Sequence, residues 1–246
     1  AQEDRVRAEA RLAQLEPALQ EAADAKEQAA RECSQLDRRL EELREQNKRQ
    51  TVEKALELFI QRGVDQTTIR DIAAAAGLTE RSVYRYFESK SAVVLATTFL
   101  FWERTAQRVE ALVQQRFYQG MPGIEQIRIM LTFYSRMYLE HPEYIRYIIQ
   151  AEAALYSAGL TADIQYRPPG RFQTSDTPMI RAIRAGLADG SVSAAADVEE
   201  IYYNAYDAIL GTMQRQALGS TTCDLDQQRR MEHLCELFLK AFQGLA

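Results

Sequence analysis

Residues 68–90 read Thr-Ile-Arg-Asp-Ile-Ala-Ala-Ala-Ala-Gly-Leu-Thr-Glu-Arg-Ser-Val-Tyr-Arg-Tyr-Phe-Glu-Ser-Lys, and this stretch constrains the chain more than any other. Thr68 followed three residues later by Asp71 is a capping box, which starts a helix. Ile69, Ile72, Ala73 and Ala76 fall at i, i+3, i+4 and i+7, so that helix has one apolar face. Gly77 ends it, because a left-handed backbone there meets no Cβ penalty. Thr79 then caps a second helix ending near Phe87. Ser89 caps a third, with Lys90 in its first turn. The spacing predicts two short helices at a tight turn. The second sends Val83 and Phe87 inward and Arg81, Ser82, Tyr84 and Arg85 outward. A basic and aromatic face of this kind fits a DNA major groove.

The pattern Thr-x-x-Asp-Ile-Ala-x-x-Ala-Gly-Leu-Thr-x-x-x-Val-Tyr-x-Tyr-Phe-x-x-Lys resembles the DNA-binding domain of the tetracycline-repressor (TetR) family. Ala55-Leu56-Glu57-Leu58-Phe59-Ile60-Gln61-Arg62-Gly63 resembles that family's first helix and its exit glycine. The resemblance covers residues 51 to about 95. It implies a ligand-responsive transcriptional regulator, expected to be a repressor, that binds a palindromic operator in double-stranded DNA as a homodimer. On that reading Arg81 meets a guanine edge and Tyr84 a thymine methyl or a phosphate. Ser82 and Arg85 share the groove face, and Thr68, Thr79, Tyr86 and Lys90 hold phosphates.

Long helical periods, 11 Gly and 6 Pro in 246 residues predict an all-α chain. The net charge of −5 is unlike that of a bulk nucleic-acid binder. It is unevenly spread: residues 1–50 carry 10 Lys and Arg against 12 Asp and Glu, whereas 51–92 with Arg49 added carry 7 against 6. Affinity for DNA then depends on where the charges sit. Cys33, Cys223 and Cys235 show no metal-type spacing, and an odd count without a secretory signal fits a reducing cytoplasm. No apolar run reaches transmembrane length. No Walker sequence, dinucleotide fingerprint, Gly-x-Ser-x-Gly or His-Glu-x-x-His occurs, so no enzyme and no cofactor or metal is expected. His141 and His233 are read as structural.

The first fifty residues are a different object. Leu12, Leu19, Cys33, Leu40 and Asn47 at heptad a, with Leu15, Ala22, Ala29, Leu36 and Leu43 at d, form a coiled-coil seam interrupted by Lys26. The seam over 12–43 calls for a partner. Pro17 is expected to kink the helix or to mark a new start. No linker separates Leu43 from Ala55, and the chain begins at Ala. An alternative reading is therefore an engineered fusion, in which the TetR-like part is a carrier for the coiled coil. Rigid arms leaving the first helix would compete with DNA for space, and they are expected to pair between dimers or with another chain. The expected division is 1–48 coiled coil, 49–95 helix-turn-helix, and 96–246 helical ligand-binding and dimerisation domain.

Beyond residue 91 the periods predict helices at 91–117, 124–140, 142–157, 178–189, 195–218 and 225–243. An irregular stretch is expected at 158–177 around Pro168-Pro169-Gly170. Trp102, Phe133, Tyr134, Tyr138, Tyr147 and Tyr206 are candidates to line an effector pocket, since tyrosine offers an apolar body with a polar tip. The last two helices, with Tyr203, Ile209, Leu210, Met213, Leu234 and Phe238, are the expected dimer interface by the same resemblance.

Overall fold

The computed structural model describes residues 2–160, 171–219 and 226–245, excluding the side chains of 2–19, 22–25 and Tyr138. Pro168-Pro169-Gly170, Tyr166 and Cys223 lie outside these residues. The order is α1 (Gln2–Arg62), α2 (Ile69–Ala75), α3 (Glu80–Tyr86), α4 (Lys90–Val113), α5 (Arg116–Gln119), α6 (Gly123–Glu140), α7 (Pro142–Ser157), α8 (Pro178–Asp189), α9 (Val198–Ala217) and α10 (Gln227–Phe242). No strand occurs among the described residues, and no helix among them is long and apolar enough to cross a membrane.

The chain divides into two compact units, 1–50 and 51–246. In the first, the seam residues Leu36, Leu40 and Leu43 are exposed, as is Cys33. Helix α1 runs without interruption through Pro17, so the new helix start expected there does not occur.

In the second unit one buried cluster runs from Ala55, Leu56 and Phe59 through Val83 and Phe87 to Tyr147, Leu155, Ile183 and Phe242. The boundary expected at 95/96 falls inside α4, whose Val93, Val94, Phe101 and Trp102 all belong to that cluster. The helix-turn-helix therefore shares its core with the helices that follow.

Helix α4 is shorter than its periodicity suggests. It stops at Val113, and Gln115 turns the chain extended before α5. On an uninterrupted helix Tyr118 would lie on the face opposite Val109, at 100° per residue. The break brings Tyr118 back to pack with Val109, Val113 and Met130. Helices α6, α7 and α8 match their expected spans to within a residue, and Pro142 occupies the first turn of α7.

Close backbone packing fixes α6 against α8. A Cβ on Gly123 would sit 2.0 Å from the amide nitrogen of Gly186, so only glycine fits. The amide N–H of Gly123 donates to Asp189 Oδ2 at 2.7 Å, and that of Ile124 to Ser191 Oγ at 3.0 Å. Two donors that a helix start leaves without an intrahelical partner are thus satisfied from the end of α8.

Candidate nucleic-acid interface

The reading head is built by its caps. Thr68 accepts from the Asp71 amide at 3.1 Å, and Asp71 Oδ2 accepts from both the Thr68 amide and its hydroxyl, at 2.8 and 2.6 Å. These bonds from Thr68 hold the Asp71 carboxyl below its usual range, with Arg62 and Arg70 adding to the effect. Ile69, Ile72, Ala73 and Ala76 are buried as one face. Gly77, at φ +68°, makes the turn. Thr79 caps α3 through the Ser82 amide at 3.2 Å, and its hydroxyl lies 3.0 Å from that of Ser82.

Helix α3 has two clear sides. Val83 is fully buried and Phe87 nearly so, while Arg81, Tyr84 and Arg85 are exposed. Tyr84 presents about half its surface to solvent. The guanidinium of Arg85 lies 5.3 Å from the Tyr86 ring centre and donates to the Tyr86 hydroxyl at 3.3 Å. This contact orients Arg85 before any partner arrives. Ser89 caps α4 through the Ala92 amide at 3.1 Å and leaves Lys90 half-buried at that helix start.

One expected phosphate contact does not suit this geometry. Both donors of Thr68 are spent on Asp71, so a phosphate there would face a carboxylate. Arg70, not among the residues expected at the interface, is also exposed on α2. The signal was present, as Arg70 is the one basic residue of that helix.

The aromatic candidates do not converge on one pocket. Trp102 and Tyr147 line a cavity of about 10 Å³ with Thr98, Phe101, Ile148, Ala151 and Glu152. Tyr147 donates to Thr97 at 2.9 Å and stacks on Phe59, with ring centres 6.5 Å apart. Burial pushes its hydroxyl up to about 12. Phe133 instead lines an open groove of about 560 Å³ with Arg108, Arg128, Arg136, Glu140 and His141. Tyr134 packs beside Phe133 against the Tyr118 cluster, and burial raises its hydroxyl strongly. Tyr206 is half-buried on α9 against the main core, and the Tyr138 side chain lies outside the described residues.

The dimer candidates also divide. Ile209, Leu210 and Met213 are buried in this chain's own core, which corrects their assignment to an intermolecular surface. Apolar periodicity marks a covered face without saying which chain covers it. Tyr203 is half-buried and accepts from the Phe172 amide at 2.9 Å. Leu234 and Phe238 remain half-exposed on α10, beside Leu237 at 48% exposure.

Two capped helices, a glycine turn and an outward Arg-Tyr-Arg face define a helix-turn-helix DNA-binding protein. Residues 52–97 match the family model described as bacterial regulatory proteins, tetR family, so this segment is a TetR-type DNA-binding domain. The chain is 50% identical over 40 residues to the HTH-type transcriptional repressor KstR2 of Rhodococcus jostii (strain RHA1), covering 16% of this chain and 20% of that protein. It is 29% identical over 94 residues to the HTH-type transcriptional regulator YuxN of Bacillus subtilis (strain 168), covering 38% and 31%. The matched stretches thus span no more than about a third of these relatives' lengths. Among solved structures, a TetR family regulator from Marinobacter aquaeolei VT8 is 26% identical with a TM-score of 0.51, covering 81% of this chain and 97% of that one. The TetR-family repressor FadR of Thermus thermophilus, solved with lauroyl-CoA, is 18% identical with a TM-score of 0.52, covering 79% and 94%.

Proposed function

We propose that this chain is a ligand-responsive transcriptional repressor that binds a palindromic operator as a homodimer. The observation that carries the reading is the two-sided α3, with Arg81, Tyr84 and Arg85 exposed and Val83 and Phe87 fixing their orientation from behind. Arg81 supplies a guanine contact, Tyr84 and Ser82 reach neighbouring bases or phosphates, and Thr79, Tyr86 and Lys90 hold the backbone. Half-sites one helical turn or a multiple apart follow from a two-fold dimer. Leu234, Leu237 and Phe238 offer the contact between copies.

An effector acts by favouring one spacing of the two reading heads. The space beside Trp102 and Tyr147 holds no more than a water, so an effector entering there parts these side chains, and the stacking of Tyr147 on Phe59 passes that change to the DNA-binding segment. The exposed leucines of residues 36–43 carry a second, separate interaction through a coiled coil. Selection of bound genomic fragments by the full chain tests the main reading. Enrichment of an inverted repeat, lost on Arg81→Ala, is the expected result. Enrichment of no sequence would leave the TetR-like part as a carrier for the coiled coil.

A further inference from the structure

In residues 26–50 of α1 the charges beside the seam discriminate between the two ways in which a second helix can lie on it. Leu36, Leu40 and Leu43 are 62, 52 and 48% exposed, so the seam is open. Lys26, Cys33, Leu40 and Asn47 take heptad a, and Ala29, Leu36 and Leu43 take d. Glu32 and Arg39 flank them at g, Asp37 and Arg44 at e, and all four are exposed.

In a parallel pair g faces the e position five residues on in the other copy. Glu32 would then meet Asp37, Arg39 would meet Arg44, and Lys26 would meet Lys26 inside the seam. All three are like-charge contacts. In an antiparallel pair g faces g, e faces e and a faces d. With the two helices centred on Arg38, Glu32 meets Arg39 of the second copy and Asp37 meets its Arg44, each twice by symmetry. Leu36 then packs on Leu40, and Cys33 on Leu43. A slip of one heptad sets Glu32 and Asp37 against their own copies in one direction, and Arg39 and Arg44 against theirs in the other. The bonds these charges make along their own helix, Gln28 to Glu32 at 3.1 Å and Arg44 to Glu41 at 3.2 Å, are surface contacts that exchange at little cost.

We propose that residues 26–50 pair antiparallel with the same residues of a second copy of this chain, centred on Arg38. The proposal rests on the coiled-coil reading above and adds its partner, orientation and register.

Disulfide mapping on the oxidised full chain tests it. The two Cys33 residues lie ten residues apart along the pair, about 15 Å at 1.5 Å per residue. Disulfides need Cα atoms within about 7 Å. The chain with its native cysteines is therefore expected to form no Cys33–Cys33 link. Co-expressed Cys33→Ser/Leu36→Cys and Cys33→Ser/Leu40→Cys chains are expected to link 36 to 40, whereas neither variant links to itself. A Cys33–Cys33 disulfide, or self-linking of either variant, would mean parallel pairing and overturn the orientation while sparing the coiled coil. No link in any sample, with the introduced thiols alkylated at the rate of free cysteine, would overturn the coiled coil itself. Adding Arg39→Glu and Arg44→Glu is expected to cut the mixed link roughly tenfold by setting four like-charge contacts. Adding Glu32→Arg and Asp37→Arg as well should restore it, and failure to restore it would overturn the register.

Discussion

The amide N–H of Val64 donates to Oε1 of Gln150 at 2.6 Å, joining the exit of α1 to the middle of α7 across 86 positions of sequence. Gly63, at φ +96°, bends the chain into this contact, and a Cβ there would lie 2.8 Å from the same oxygen. One turn earlier on α7, Tyr147 stacks on Phe59. Helix α7 therefore holds the end of α1 through a hydrogen bond and a ring contact. Gln150→Leu leaves the Val64 donor without its acceptor, and an unsatisfied buried donor costs about 1–3 kcal/mol. The expected outcome in denaturant unfolding is a loss in that range. Effector response should weaken more than operator affinity does.

Arg81 and Lys90 should fail in different ways. Arg81→Ala is expected to cost about 1–3 kcal/mol on the operator and to relax preference at one base pair. Lys90→Ala should weaken operator and random DNA alike and lower the salt dependence by about one counterion. Fluorescence titrations at several salt concentrations separate the two. Equal effects of both changes on both DNAs would remove Arg81 from the groove.

Substitution at Gly123 should be severe for a residue at a helix end. Its Cβ would collide with backbone atoms of Gly186, which cannot rotate away as a side chain can. Overpacking of this kind costs about 1–3 kcal/mol or more. Gly123→Ala should lower the thermal midpoint by several degrees, and Gly186→Ala, blocked by Val192 at 2.4 Å, should do likewise.

Asp189 sets an acid limit. Its carboxyl accepts from Gly123 and Ser191, and the Ser191 bonds most of all hold it below the ordinary carboxylate range. A carboxyl depressed in the folded state stabilises the chain above its unfolded value, near pH 4. That contribution disappears as pH falls through the folded value. Asp189→Asn should therefore be less stable than the parent at pH 6, and the gap should begin to narrow only below about pH 4 and close as pH falls through the lower folded value, as read from urea midpoints.

Met213 and Phe238 should separate folding from assembly. Met213 is buried at 3% exposure, so Met213→Ala should cost about 2–5 kcal/mol and leave the dimer mass unchanged in whatever fraction folds. Phe238 is half-exposed. Phe238→Glu should keep the fold and shift light scattering toward monomer.

The reading head was legible because each of its determinants is local: a capping box, a turn glycine and a 3.6 period all lie within 23 residues. Helices α6 to α8 were legible for the same reason, with Pro142 and Gly190 as punctuation. The end of α4 was not. No glycine or proline marks Gln114–Gln115, and the turn there serves the burial of Tyr118 among distant residues. The aromatic pocket failed similarly, since tyrosines at helical spacing go wherever tertiary packing finds them. Ile209, Leu210 and Met213 show why periodicity alone does not locate an interface.

The buried cluster that joins Val83 and Phe87 to Ile183 and Phe242 governs what a genetic screen on this protein would return. Variants selected for loss of DNA binding will not map only to α3. Many will fall on α8 and α10, where a cavity weakens the same cooperative unit that holds the reading head in place. Such variants should regain binding at lower temperature or with a stabilising second-site change, whereas true contact variants should not.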